Sequence, residues 1–321
     1  MARKKNLERA IVLGLILSTS IYGSAWAAEV TTGDFENAAN GHIEGISVDG
    51  KNYTISKDTT INGNTTGSAL NWSWLGNKVI TVENNANLTF NGIQLNNSTI
   101  KGNGNVTVEN DNGGLAVFVG GLTLNTSTSD GIYLYEHDLT IDVEHLTINS
   151  KDNGIIQETS EKNEDGSFRP LTRPTNITIN NTQSININSS GSWAVHNNSQ
   201  AGVLNNIYMR SDKAGSVINL MGLNGVSHTS SGETILKADN VNIGSSQYYG
   251  VFAGSSGLLD ITAVNDVVIK DREIEKGNYA RDIARAQNGT LVITAQNGNT
   301  NLIGESGVHT VGTGTATITA A

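Results

Sequence analysis

The densest group of side chains able to do chemistry in this 321-residue chain is Asp271, Arg272, Glu273, Glu275, Arg281 and Asp282. Carboxylates so close together could hold Ca²⁺ or a sugar. They alternate with arginines, however, and an inserted loop whose charges pair with one another explains them more simply. Glu158, Glu161, Glu164 and Asp165 form a second acidic group that reads the same way. Asp138, Asp142 and Glu144 come nearer to catalytic spacing, because i and i+2 on a strand share a face. A glycosidase needs two carboxylates at a defined separation; the plainer reading is the polar side of a half-buried strand. The histidines, His42, His137, His145, His196, His228 and His309, show no metal-ligand spacing. Nucleophile-elbow, phosphate-loop, dinucleotide and calcium-nonapeptide motifs are missing, so no cofactor is expected. The best binding candidates are aromatic: Tyr133 and Tyr135 on one strand face in "GIYLYEH", and Tyr248 and Tyr249 at a turn in "SSQYYGVF". Read as exposed, such rings stack on sugars or anchor a protein partner.

The composition sets limits on function. Cysteine is absent, which removes thiol nucleophiles and zinc–thiolate sites. The net charge is −10 at pH 7, with basic residues scattered, so phosphate-backbone binding and nucleic acid as a partner are excluded. Gly is 36 and Pro only 2, and hydrophobic residues make up 37%. That suits many tight turns between short strands and a narrow core. Basic residues do cluster at the N-terminus, at Arg3, Lys4, Lys5 and Arg9, ahead of an apolar run from Ala10 to Tyr22. Small residues at Ala25 and Ala27 complete a secretory signal, with cleavage expected between Ala27 and Ala28. The apolar run is short of the roughly 20 residues a spanning helix needs.

The elements that must position these residues are strands. "LLDITAVNDVVI" from Leu258 and "TLVITAQNGNTNLI" from Thr290 repeat one phrase, an alternating strand followed by a polar turn. "ETILKADNVNIG" and "DLTIDVEHLTIN" are looser copies. Alternation means half-buried strands, and fixed-period repetition means a solenoid whose repeats pack only on their neighbours. Taking Ile179, Asn205, Ile235, Ile261, Ile293 and Ile318 as equivalents gives steps of about 25 to 32 residues, enough for three short strands and three turns per coil. Residues 28–77 are expected to form an N-terminal cap and the first strands, with a hairpin at Asp49-Gly50, and residues 78–321 the coils. Residues 160–174 and 270–289 are expected to bulge out as loops. The best helical candidate is 277–288.

The repeated L-x-I-T-A phrase, with Gly-Val at Gly250-Val251 and Gly307-Val308, resembles the passenger domains of bacterial autotransporters, the type V secreted proteins. The resemblance covers roughly residues 80 to 321. It implies an all-β fold, a right-handed parallel β-helix, and an adhesin-like or stalk role at the cell surface, with a host or microbial surface protein or glycan as partner. Such proteins end in an outer-membrane β-barrel, which this sequence does not contain. Membrane association is therefore expected only through that missing barrel, and the chain, which stops at "TATITAA" one strand into a coil, is expected to be a fragment. If it were complete, the product would reach the periplasm. The rival reading is a β-helical polysaccharide lyase or glycoside hydrolase. Its mark would be at least two carboxylates and a basic residue on one outward face.

Overall fold

A computed structural model describes residues 28–39, 43–63, 73–76, 78–83, 86–96, 99–109, 115–117, 130–134, 138–157, 160–162, 168–170, 174–180, 182–199, 204–271, 282–304 and 306–321. The alternating strands coil into a parallel β-helix. Two sheets of 10 strands and one of 11 run its length. We call them S1, S2 and S3, in the order the chain visits them. In one coil Val267–Asp271 lies in S1, Asp282–Gln287 in S2 and Thr290–Ala295 in S3, before Thr300–Ile303 returns to S1. Apart from two antiparallel pairs, Ile46–Asp49 with Asn52–Ile55 and Ser160–Lys162 with Phe168–Pro170, the described strands pair in parallel with their counterparts in neighbouring coils, so the three long sheets have their edges at the two ends.

Stacking puts like residues above one another. On S3 the inward column is Ile179, Met209, Leu236, Ile261, Ile293 and Ile318, strand to strand in register. The first five are fully buried. On S1, Phe90, Val108, Ile148, Ile187, Leu220, Ile243 and Ile269 form another column. Fully burying such a side chain is worth about 1.5–3 kcal/mol. Two of the equivalences expected from sequence are therefore off: Met209 stands in the column in place of Asn205, and Leu236 in place of Ile235. Ile235 faces outward, paired with Asp260. Asn205 lies before its strand, at the S2-to-S3 corner. A slip of one residue exchanges the two faces of a strand, and the buried Thr234 hides the true phase of "ETILKA".

The outward side of S1 is held by amides. Asn242 donates to Asn219 (2.9 Å), which donates to Asn186 (2.8 Å). In a parallel stack each Asn is both donor and acceptor, a chain of bonds that a hydrocarbon side chain could not make.

The hairpin forms as expected: Ile46–Asp49 pairs antiparallel with Asn52–Ile55 around Gly50, whose φ is 57°. A five-residue helix, Thr32–Glu36, was not foreseen. Its capping box is made by Thr31 and Asp34, and its Phe35 stacks on Tyr53 at 4.6 Å to close the end of the core. Ala28–Thr31 and Thr59–Asn62 are the first two strands of S1. In the segment expected to be helical, Asp282–Gln287 is a strand, because pairing with Tyr249–Ala253 and Val308–Val311 satisfies its backbone on both sides. The charged insertion near residue 165 contains an antiparallel pair, Ser160–Lys162 with Phe168–Pro170.

Candidate functional site

The S1-to-S2 corner gathers chemistry from successive coils. There the backbone of one coil lies tight on the next. A Cβ on Gly250 would sit 2.5 Å from the Ile283 carbonyl oxygen and 2.5 Å from Ile269 Cγ2. Glycine at this point of the Gly-Val phrase lets the coils close up, and the residues on either side then project outward in two columns. One column holds Trp193, Asn224, Tyr249 and Asp282. The other holds His196, Ser227, Phe252, Arg285 and His309.

The large rings come from coils two apart, nominally about 9.6 Å, yet they lean together across Asn224. Trp193 and Tyr249 are parallel within 3°, their centroids 6.1 Å apart. Tyr249 meets Phe252 at 5.3 Å, and Trp193 meets His196 at 5.9 Å. Asn224 Oδ1 accepts the Tyr249 backbone N–H at 3.3 Å, and Ser227 is buried between its larger neighbours. All four rings are half-buried. Desolvation lowers the His196 pKa to about 4, so this ring is neutral at pH 7.

The strip ends on a polar cluster. The Asp282 carboxylate is almost fully buried; it accepts from Arg285 Nη1 at 3.5 Å and lies 2.6 Å from His309 Nδ1. Arg285 Nη2 donates to Gln287 at 3.1 Å, and its buried Nε has no partner among the described residues. This arrangement presents fixed donors and an acceptor beside flat apolar surface.

Several sequence candidates thus meet. Tyr249 and Asp282 are partners in register. Tyr248, well exposed, occupies the turn before Tyr249. Asp271 ends the S1 strand that leads into this corner. Arg272, Arg281 and Tyr135 lie outside the described residues, as do Ala27 and the rest of the charged segment 272–281; Ala28 begins the first strand. Tyr133 corrects an expectation. It points away from the core cluster, yet only 8% of its surface is exposed, and its neighbour in the next coil, Ile156, is also buried.

The catalytic-spacing trio is tied into the scaffold. Glu144 is ion-paired with Lys213, and Asp138 accepts the backbone and side-chain N–H of Asn176 at 2.8 and 2.9 Å. Asp142 stays outward on S3. Among the described residues no group of three His, Asp or Glu side chains is placed to hold a metal ion, and no helix is long and apolar enough to cross a membrane.

A second polar concentration lies inside the coil, at the S2-to-S3 corner. Gln157, Asn197 and His228 stack as an inward column, all fully buried. Gln157 Nε2 donates to Thr175 Oγ1, which donates to Asn205 Oδ1. Asn197 Nδ2 donates to the Asn205 carbonyl and to Thr234 Oγ1. The Thr234 hydroxyl, having accepted from Asn197, donates to His228 Nδ1 at 2.9 Å. On that network we assign the ring proton to Nε2, which makes no hydrogen bond among the described residues, although the backbone of Ser230 and Gly232 acts on the ring. Burial pulls the His228 pKa down to about 4, and that backbone opposes the shift only partly.

Trp193, His196, Phe252, Arg285 and His309 were not singled out from sequence. A signal was there: each lies just before or just after the Gly-Val type dipeptide of its coil, as in "WAVH", "YGVF" and "GVH". Aligning the coils on that dipeptide brings the columns into view. Compared with models of protein families, with curated proteins and with solved structures, the chain matches none.

Proposed function

We propose that the protein is an exported, non-enzymatic β-helical module, a passenger of the autotransporter kind, that binds a partner at the cell surface or in the medium. The observation that carries this reading is the outward strip of Trp193, Tyr249 and Phe252 on an otherwise regular polar solenoid. Aromatic rings left half-exposed, with polar groups fixed at one end, suit recognition of a ligand. Export rests on the basic, apolar and small-residue sequence of the first 27 positions. The test has two arms. Terminal sequencing of protein recovered outside the cytoplasm is expected to begin at Ala28, and an intact Met1 in the cytoplasm would end the export reading. The full chain is also expected to bind cells, and loss of that binding in Tyr249→Ala with an unchanged fold would support the strip as the binding surface.

A second reading, a polysaccharide-cleaving enzyme, draws on one feature: Asp282, Arg285 and His309 cluster on an outward face. The Asp282 carboxylate is engaged by both Arg285 and His309. Release of new reducing ends or unsaturated sugars from polysaccharides, lost in Asp282→Asn, would favour the enzyme.

A further inference from the structure

We propose that the strip formed by Trp193, Tyr249 and Phe252, closed by Asp282 and Arg285, is a subsite for an uncharged oligosaccharide. The inference rests on the reading of the chain as a binding module and names the ligand class of that same surface.

Three observations converge. First, a pyranose ring has an apolar C–H face and a rim of hydroxyls. It needs a flat apolar surface with polar groups at the side, and the strip supplies both. The rings are in mutual contact and lose little freedom when a ligand covers them. Second, the buried Asp282 carboxylate, already engaged by Arg285 and His309, holds the partly exposed Arg285 guanidinium at the edge of the rings, where its remaining N–H groups can donate to ligand hydroxyls. Both groups are held in place before any ligand arrives, Asp282 by burial and Arg285 by Gln287. Third, the charges select against an acidic glycan. Asp282 compensates Arg285, His196 is neutral at pH 7, and the chain as a whole carries −10. A polyanion would meet no net attraction here and would be repelled at longer range.

A protein partner would use the same residue types, but it would need a broad face of roughly 800 Å² per side. Next to the rings at this corner the well-exposed large apolar side chains are Met221 and Tyr248. The interposed positions are Asn224 and Ser227. A narrow strip bordered by polar groups fits a single sugar chain better.

The experiment is an array of neutral, uronate-bearing and sulfated oligosaccharides probed with the full chain, followed by titration of the best binder. Neutral oligosaccharides are expected to bind. Trp193→Ala and Tyr249→Ala are each expected to weaken binding by about tenfold, which is about 1.4 kcal/mol, since each removes a stacking face. Circular dichroism and unfolding curves check that the coil persists. If the Ala variants do not fold, Trp193→Phe keeps a ring and loses any ligand-induced fluorescence change that Trp193 contributes. The proposal is overturned if no neutral glycan binds, if acidic glycans bind in preference, or if both Ala variants bind as tightly as wild type. Cell binding that survives glycosidase treatment but is abolished by protease would also overturn it, while leaving the binding module standing. Absence of any cell binding would remove both.

Discussion

His228 shows how one side chain links sequence, packing and pH. It is fully buried, its Nδ1 accepts from Thr234, and its folded pKa is about 4 against an ordinary value of 6.5. The unfolded chain therefore takes up a proton at higher pH than the folded one. The neutral-ring stability is fully present above about pH 6.5 and is lost progressively as pH falls towards about 4. For a group this buried the loss approaches about 3 kcal/mol. His196, half-buried, acts in the same direction with a smaller effect, because solvent screens it. Chemical unfolding at stepped pH is expected to show wild type weakening between pH 6.5 and pH 4, with a shallower slope in His228→Gln. Equal slopes would show that His228 is not the titrating group. At a purely apolar site, Ile261→Ala is expected to cost about 2–5 kcal/mol, whereas Thr262→Ala on the outward side should change stability by less than about 0.5 kcal/mol.

At the scale of the element, the S1-to-S2 corner is the most constrained turn. Gly250→Ala would drive a Cβ into the Ile283 carbonyl and Ile269. A loss of about 1–3 kcal/mol is expected from such overpacking, read as a lower unfolding midpoint. The same change would shift Tyr249 and Phe252, which flank the Gly-Val dipeptide, and so weaken ligand binding beyond the stability loss. The hairpin Ile46–Ile55 and the inward phase of "LLDITA" and "TLVITA" could be read directly, since Asp-Gly turns and period-two alternation are local signals. Met209 and Leu236 could not be placed without the neighbouring coils. Inward Thr234 and outward Ile235 break the apolar pattern, and only the hydrogen bonds of Thr234 to Asn197 and His228 show why a hydroxyl is tolerated inside.

Across the whole molecule, each coil contacts mainly the coils before and after it. Stability is then close to a sum of repeats and interfaces, and lesions stay local. Hydrogen exchange in Ile261→Ala is expected to accelerate in the coils carrying Leu236, Ile261 and Ile293 and to remain near wild type around Leu88 and Phe90. Uniform acceleration would mean the solenoid unfolds as a single unit. The strands Thr300–Ile303, Val308–Val311 and Thr315–Thr319 have one partner each among the described residues and expose Ile303, Val311 and Ile318. Lys at those three positions is expected to reduce concentration-dependent association measured by light scattering.

The sequence by itself determined that this chain is a stack of short strands. Period-two alternation, turn-rich composition and a recurring phrase are local properties, and repetition turns them into a coil without further information. The candidate site was only partly legible. Tyr248, Tyr249 and Asp282 stand out by type, but Trp193, His196 and Arg285 sit among ordinary strand residues and gain meaning from what lies above and below them. Tyr133 stands out by type as well, but its burial could not be read from the sequence. Only the tertiary structure decided these points. Which residues share a column depends on the register between coils, and register is set by backbone pairing between residues 17 to 41 positions apart, as Leu115 with Ile132 and Thr99 with Thr140.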